Sequence, residues 1–309
     1  MKRCSLFHAF FLATTLLAAP LHAGQPLLES GKEAKAMVPA DPRLIFRYTT
    51  SYVFESDFER GDDASGDALA TDLEIGYRIP LGLEWPNRER GAWYLRLGAR
   101  YRRFDFNTSG DLPVPDRLQG IAAVIGLEYL IDGRRVILAD AQPGFYFESD
   151  VTSDAFDVPI RVVAPIELNE SVAFVVGVSY VGLRSYPFLP VVGVNWRIND
   201  QWTVRAIPPD PRIIYSPSKN LNFWLGGEVV GGSFRADERD RTPSKINSAV
   251  LVYDDYRVAA GITCRCDWLT VEVSGGYSLH RKIDYHRAEE GFETDEGAPF
   301  AAVEIQAVF

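Results

Sequence analysis

From Arg43 to the carboxyl terminus, apolar and polar residues alternate with a period of two, the mark of strands with one wet and one dry face. In residues 43–55, Leu44, Phe46, Tyr48, Tyr52 and Phe54 share one face, opposite Arg43, Arg47, Thr49, Ser51 and Glu55. Residues 72–79 set Leu73, Ile75, Tyr77 and Ile79 against Asp72, Glu74, Gly76 and Arg78. Residues 92–102 set Trp93, Leu95, Leu97, Ala99 and Tyr101 against Arg96, Gly98, Arg100 and Arg102. Further on, Leu269, Val271, Val273, Gly275, Tyr277 and Leu279 oppose Thr270, Glu272, Ser274, Gly276, Ser278 and His280. The pattern predicts twelve strands, at 43–57, 67–80, 91–106, 117–131, 134–148, 156–168, 171–184, 187–198, 220–236, 246–263, 267–283 and 298–309. Most exceed the ~5–6 residues of a globular strand and the ~9–11 that cross a bilayer when tilted.

Long alternating strands describe a closed barrel better than a sandwich, although a soluble exported β-sandwich is the architectural rival. The predicted fold is all-β: one transmembrane antiparallel β-barrel over residues 43–309. Residues 199–219 complicate the count, because Pro208, Pro209 and Pro211 interrupt them. One full strand there would make an odd number, which bacterial barrels avoid. A short hairpin, 201–207 and 211–216, either projects into the periplasm or folds into the lumen. Counted with the others, that short pair makes fourteen strands.

Odd-numbered strands are followed by polar loops at 58–66, 107–116, 237–245 and 284–297, and even-numbered ones by turns such as Asp132-Gly133, Asn169-Glu170 and Asn199-Asp200. Long extracellular loops and short periplasmic turns are the outer-membrane arrangement. Residues 81–90 form a longer periplasmic link than this pattern allows, and Tyr186-Pro187 a shorter external one.

The amino terminus agrees with export. Lys2 and Arg3 precede an apolar run, Leu6 to Ala19, and Pro20-Leu-His-Ala23 ends it, the form of a signal peptide cleaved after Ala23. The run is too short to span the ~30 Å hydrocarbon layer as an anchor helix. Residues 24–42, with three prolines and no sustained period, read as an extended leader. The chain has 32 Lys+Arg against 42 Asp+Glu, a net charge of -10, which leaves no cation surplus for nucleic acid. No metal or cofactor motif stands out. The last strand, residues 301–309, alternates and ends on Phe309, a signal of the kind read by the outer-membrane barrel assembly machinery.

Pro190-Val-Val-Gly-Val-Asn-Trp196, Asn199-Asp-Gln-Trp202, Pro208-Pro-Asp-Pro211 with Ile214-Tyr215, and Tyr256-Arg257 leading to Gly261 carry a resemblance. From Val172 onward the chain resembles a bacterial outer-membrane β-barrel family of unknown function, DUF6268. The resemblance covers somewhat under half of the chain. It implies the barrel, and no catalytic residue.

The inward faces place Arg47, Glu74, Arg78, Arg96, Arg100, Arg102, Arg161, Arg197, Glu228, Asp255, Arg257, Glu272 and His280 along the lumen, with Trp224. A ring of fixed charge sets ion preference in a channel, and Arg96, Arg100 and Arg102 together would attract anions. Opposed charges in near balance equally describe a lumen cross-linked by ion pairs. Arg102 and Arg103 stand near the outer rim, where lipopolysaccharide phosphates and lipid are expected partners. Aromatic residues at strand ends, among them Tyr48, Trp93, Tyr129, Tyr146, Tyr180, Trp196, Trp202, Trp268 and Tyr277, suit interfacial girdles, with a sugar-stacking platform as the alternative. Ser278, His280 and Asp284 on one face raise hydrolysis, without an oxyanion motif beside them. Cys264-Arg-Cys266 falls in a periplasmic turn, where an oxidising compartment allows either a turn-stiffening disulfide or two thiols. The sequence thus describes an outer-membrane barrel, not an enzyme. A passive channel or transport-related barrel for small solutes leads, ahead of a structural or adhesion barrel with a plugged lumen.

Overall fold

A computed structural model describes residues 43–59, 64–81, 91–109, 112–131, 134–238, 244–286, 288 and 290–309. The signal segment, the leader, most of the 81–90 link and the Asp132-Gly133 turn lie outside the described residues. All twelve expected strands form. Their alternation leaves each backbone able to pair on both edges while one face turns to the lumen and the other outward.

In chain order the strands are β1 (Arg43–Asp57), β2 (Ser65–Leu81), β3 (Gly91–Thr108), β4 (Arg117–Ile131), and β5 in two pieces (Arg134–Ala141, Gly144–Phe147). Next come β6, also in two pieces (Phe156–Asp157, Ile160–Glu167), β7 (Val172–Tyr180), β8 (Phe188–Arg197), β9 (Trp202–Ala206) and β10 (Arg212–Ser218). The last are β11 (Leu221–Arg235), β12 (Val250–Cys266), β13 (Leu269–His286) and β14, again in two pieces (Glu290–Glu293, Ala298–Val308). Each pairs antiparallel with its chain neighbours, and β14 closes on β1 from Val308↔Ile45 to Phe300↔Val53.

The count is therefore fourteen, not twelve. The short pair β9 and β10 neither projects into the periplasm nor folds into the lumen. It stands in the wall, β9 against β8 and β10 against β11. In hydrocarbon every backbone group needs a partner, so a short pair is retained where its neighbours supply one.

Strand length divides the barrel. β1 to β4 and β11 to β13 run 15 to 18 residues, whereas β7, β8, β9 and β10 have 9, 10, 5 and 7. Pro143 interrupts β5 and Pro159 interrupts β6, each lacking the N–H a ladder needs. The lower piece of β5 pairs with β6. Its upper piece stays on β4 and leans across to β11, where Phe147 meets Arg235 in the one parallel contact among the described residues and Glu148 N donates to Arg235 O at 3.0 Å. That upper piece also keeps Gly144 and Phe145 paired with Asp157 and Phe156 of β6, so nine strands close the extracellular end of the barrel and the wall below it has all fourteen.

No helix of the described residues is long and apolar enough to cross a membrane; the strands do the crossing. Their outer faces expose Ile75, Leu97, Ile125, Val176, Leu225, Val258 and Val273. Trp196, Trp202 and Trp268 rim one end of this band, Trp268 stacked on Phe309 at 5.5 Å, and Tyr180, Tyr256 and Tyr277 rim the other. This is the apolar belt and aromatic girdle of an outer-membrane barrel. Tyr146 departs from the expected girdle, packing inward against the core.

Candidate functional site: the lumen

Along several strands the inner face changes character halfway up. On β3 it runs Arg96, Arg100, Arg102 and then Phe104, Phe106; on β12, Arg257, Asp255 and then Tyr253, Leu251; on β14, Glu304 and then Ala302, Phe300. The apolar ends converge. Phe104 meets Tyr253 at 5.0 Å and Phe234 at 5.7 Å, and Phe106 meets Tyr253 at 5.0 Å, all edge to face. Since β3 and β12 are not neighbours, these rings touch across the bore. Val53, Leu118, Val230, Ile246, Ile283 and Phe300 complete one buried cluster. A ring of about eight strands has an interior that side chains just fill, which accounts for this core in a nine-strand half.

Beneath it lies a buried charged layer. Asp72 accepts from Arg100 Nε at 2.8 Å and from Arg102 Nε at 3.1 Å, and Arg102 Nη1 also donates to Gly231 O. Arg257 donates to Asp255 and to Ser51 Oγ, both at 2.7 Å, lies 3.4 Å from Glu228, and sits over the Phe300 ring. Ser278 Oγ donates to Asp255 at 2.6 Å.

The periplasmic half is a ring of ion pairs, several of them long: Arg47 with Glu74 and Glu304 at 3.7 and 3.6 Å, Arg96 with Glu74 at 3.9 Å, Arg78 with Glu128 at 2.7 Å, and Arg161 with Asp140 at 3.1 Å. Arg212 bridges Glu272 at 2.8 Å and Asp210 at 3.5 Å, and covers the Trp224 ring at 3.7 Å. Trp224 can lie flat there because Gly261 opposite has no side chain; a Cβ would stand 2.6 Å from the indole. Several buried polar atoms of this half find no hydrogen-bond partner in the chain: the Nε atoms of Arg47, Arg78, Arg96, Arg205 and Arg212, Asn195 Oδ1 and Trp224 Nε1. Buried polar groups are rarely left unpaired, and atoms of this kind are ordinarily satisfied by water.

Most of the expected lumen residues are therefore brought together, but as ion pairs rather than as an open ring of charge. Arg197 sits at the periplasmic mouth, where it donates to Glu170 O at 2.7 Å. His280 is a correction. A bulge at Leu279, where Tyr256↔His280 is followed by Arg257↔Ser278, turns it to the outer face beside Glu293, at 3.4 Å. Ser278, His280 and Asp284 are consequently not on one face. Cys264 and Cys266 are also a correction: they end β12 rather than form a turn, they share its outer face, and no disulfide joins them. Residues two apart on a strand point in parallel, which keeps their Cβ atoms ~6–7 Å apart, beyond the ~3.5–4.5 Å of a disulfide.

Sequence reasoning missed Arg205, Asp210 and Arg212, because the prolines set their segment, 199–219, aside, and it passed over Asn195 although that residue stands on the inner face of an expected strand. It also missed the aromatic core, although the charged-to-aromatic switch along β3 was there to be found.

A family model described as a domain of unknown function (DUF6268) matches residues 38–302, well beyond the stretch that first carried the resemblance. No curated protein matches the sequence. Among solved structures, the chain is similar to the COG4313 outer membrane channel from Pseudomonas putida F1, with 11% identity, a TM-score of 0.45, and coverage of 90% of this chain and 99% of that one. It is also similar to a deltaS2 mutant of the TodX monoaromatic hydrocarbon channel, with 11% identity, a TM-score of 0.42, and coverage of 88% and 91%. Acinetobacter baumannii OccAB4 gives 7% identity and a TM-score of 0.31 over 87% and 98%.

Proposed function

The chain belongs to the DUF6268 family, whose description assigns no activity, and from the geometry we propose a transport-related outer-membrane barrel. Small solutes occupy the charged periplasmic half, which acts as a vestibule, while the aromatic core closes the axial route to the outside until it shifts. The observation that carries this reading is the unequal width of the two halves. A filled scaffold needs only about eight strands. Here five further strands, β6 to β10, widen the bore below the extracellular end, around side chains whose polar atoms look for partners. The first 23 residues would direct export, and the strand ending at Phe309, which closes the barrel on β1, would serve as the assembly signal.

Planar-bilayer recording tests the reading. Wild-type protein is expected to give brief discrete conductance steps, and Phe104→Ala longer ones. Silence from both folded proteins overturns it. That silence is what the second reading predicts, a structural barrel with a plugged lumen, and the aromatic core is the observation that favours it.

A further inference from the structure

The wall is not continuous at the level of the outer leaflet. β9 pairs with β8 only over Val194–Arg197, so Phe188–Gly193 of β8 have a partner on the β7 side alone. On the far side, β10 pairs with β11 only up to Gly226. Between the two unpaired edges runs 207–211, which includes Pro208, Pro209 and Pro211 and so has few N–H groups to offer. Its contacts to β11 are Gly227 N to Pro211 O at 2.9 Å and Val229 N to Pro209 O at 3.0 Å, and β8 and β11 do not pair. Unpaired backbone at bilayer depth is tolerated only where protein covers it or where it lines a water-filled cavity.

Both conditions are met in part. The β7–β8 tip, residues 181–187, reaches past β11 to the outer faces of β12 and β13. Arg184 Nη2 donates to Asp254 at 2.9 Å, and Ser185 Oγ lies 2.6 Å from His286 Nδ1. Beneath the tip, Leu189 shares the inner face of β8 with Val191 yet is 37% exposed, so there is open space on the lumen side of the seam. Apolar residues line both sides: Phe188 and Val192 outside, and Val191 and Ile207 inside, the latter two packed with Leu138 and Val175.

We propose that the β8/β11 seam is a lateral portal through which small apolar molecules dissolved in the outer leaflet reach the periplasmic vestibule. The proposal rests on the transport reading and names its substrate class and entry. The β7–β8 tip is its cover, and Leu189, Val191 and Ile207 line the passage through the wall, so the molecule meets charged groups only where it leaves the seam for the vestibule.

The test uses cells with an intact lipopolysaccharide outer membrane that express the full chain, and the apolar fluorophore 1-N-phenylnaphthylamine as probe. Wild-type cells should take up the dye several-fold faster than vector controls. Leu189→Trp, which fills the inner mouth, should return uptake to the control rate. Should that variant not fold, as judged by heat-modifiable gel mobility, Arg184→Cys with Asp254→Cys in a background of Cys264→Ala and Cys266→Ala gives a second arm. Joining those cysteines with a cleavable thiol linker should stop uptake, and cleavage should restore it. Wild-type uptake at the control rate, or uptake unchanged by the tryptophan or by the linker, overturns the portal. Bilayer conductance is measured separately, so loss of the portal with conductance intact leaves the transport reading standing.

Discussion

The extracellular and periplasmic ends of the bore share nine strands and are closed by different physics. In the nine-strand half, opposite walls are near enough for Phe104, Phe234 and Tyr253 to meet, and apolar packing fills the space. In the fourteen-strand half the walls are too far apart for that. Arginines and carboxylates extend toward one another, and atoms such as Arg96 Nε and Asn195 Oδ1 are left without protein partners. Strand number sets the width, and width decides whether a lumen is packed or solvated.

If that contrast is right, truncation should cost most in the narrow half. Phe104→Ala is expected to lose about 3–5 kcal/mol in urea unfolding from lipid or detergent, and a loss below about 1 kcal/mol would show the rings to be loosely packed. At the boundary layer, Arg257→Met removes the cation beside the buried Asp255 and Glu228 carboxylates, with an expected cost of about 3 kcal/mol. Asp255→Asn with Arg257→Met together should recover part of it.

Charge in the wide half should count for selectivity more than for stability. Arg161 is partly exposed beside Asp140, so Arg161→Ala should cost no more than about 1 kcal/mol, yet shift the reversal potential under a salt gradient toward cations. An unchanged potential would place Arg161 off the conduction path.

The smallest effect belongs to the extracellular rim. A hydrogen bond from Thr152 holds the Asp154 carboxyl below its ordinary range against an opposing effect of burial, and Arg235 adds to the lowering. A depressed carboxylate stabilises the fold above its ordinary titration range and ceases to do so as pH falls through the depressed value. Asp154→Asn should flatten that slight acid sensitivity of unfolding and leave neutral-pH stability almost unchanged.

Much of this was legible along the chain. The alternation at 92–102 fixed which side chains of β3 face inward, and the structure agrees residue by residue. Arg47, Glu74, Arg78, Arg100, Glu228 and Asp255 were likewise assigned to the inner face from parity alone. What parity could not foresee was a change of parity: one extra residue at Leu279 turned His280 outward. Nor could it say that Arg102 reaches Gly231 O across the bore, since that contact joins residues 129 apart in the chain. Residues 199–219 were unreadable for a different reason. Proline weakens the strand signal wherever it falls, and only pairing partners decide whether the short pieces are wall, plug or projection.

By itself, then, the sequence determined an all-β chain whose strands alternate lumen and lipid faces, because a period of two is a local property of each strand. Tertiary structure alone decided the number of strands in the wall, the pinch where Phe147 meets Arg235, the core that fills one half, and the seam left between β8 and β11. Those features depend on which strands become neighbours around a closed ring, and that is settled by pairing between distant segments rather than by the residues of any one of them.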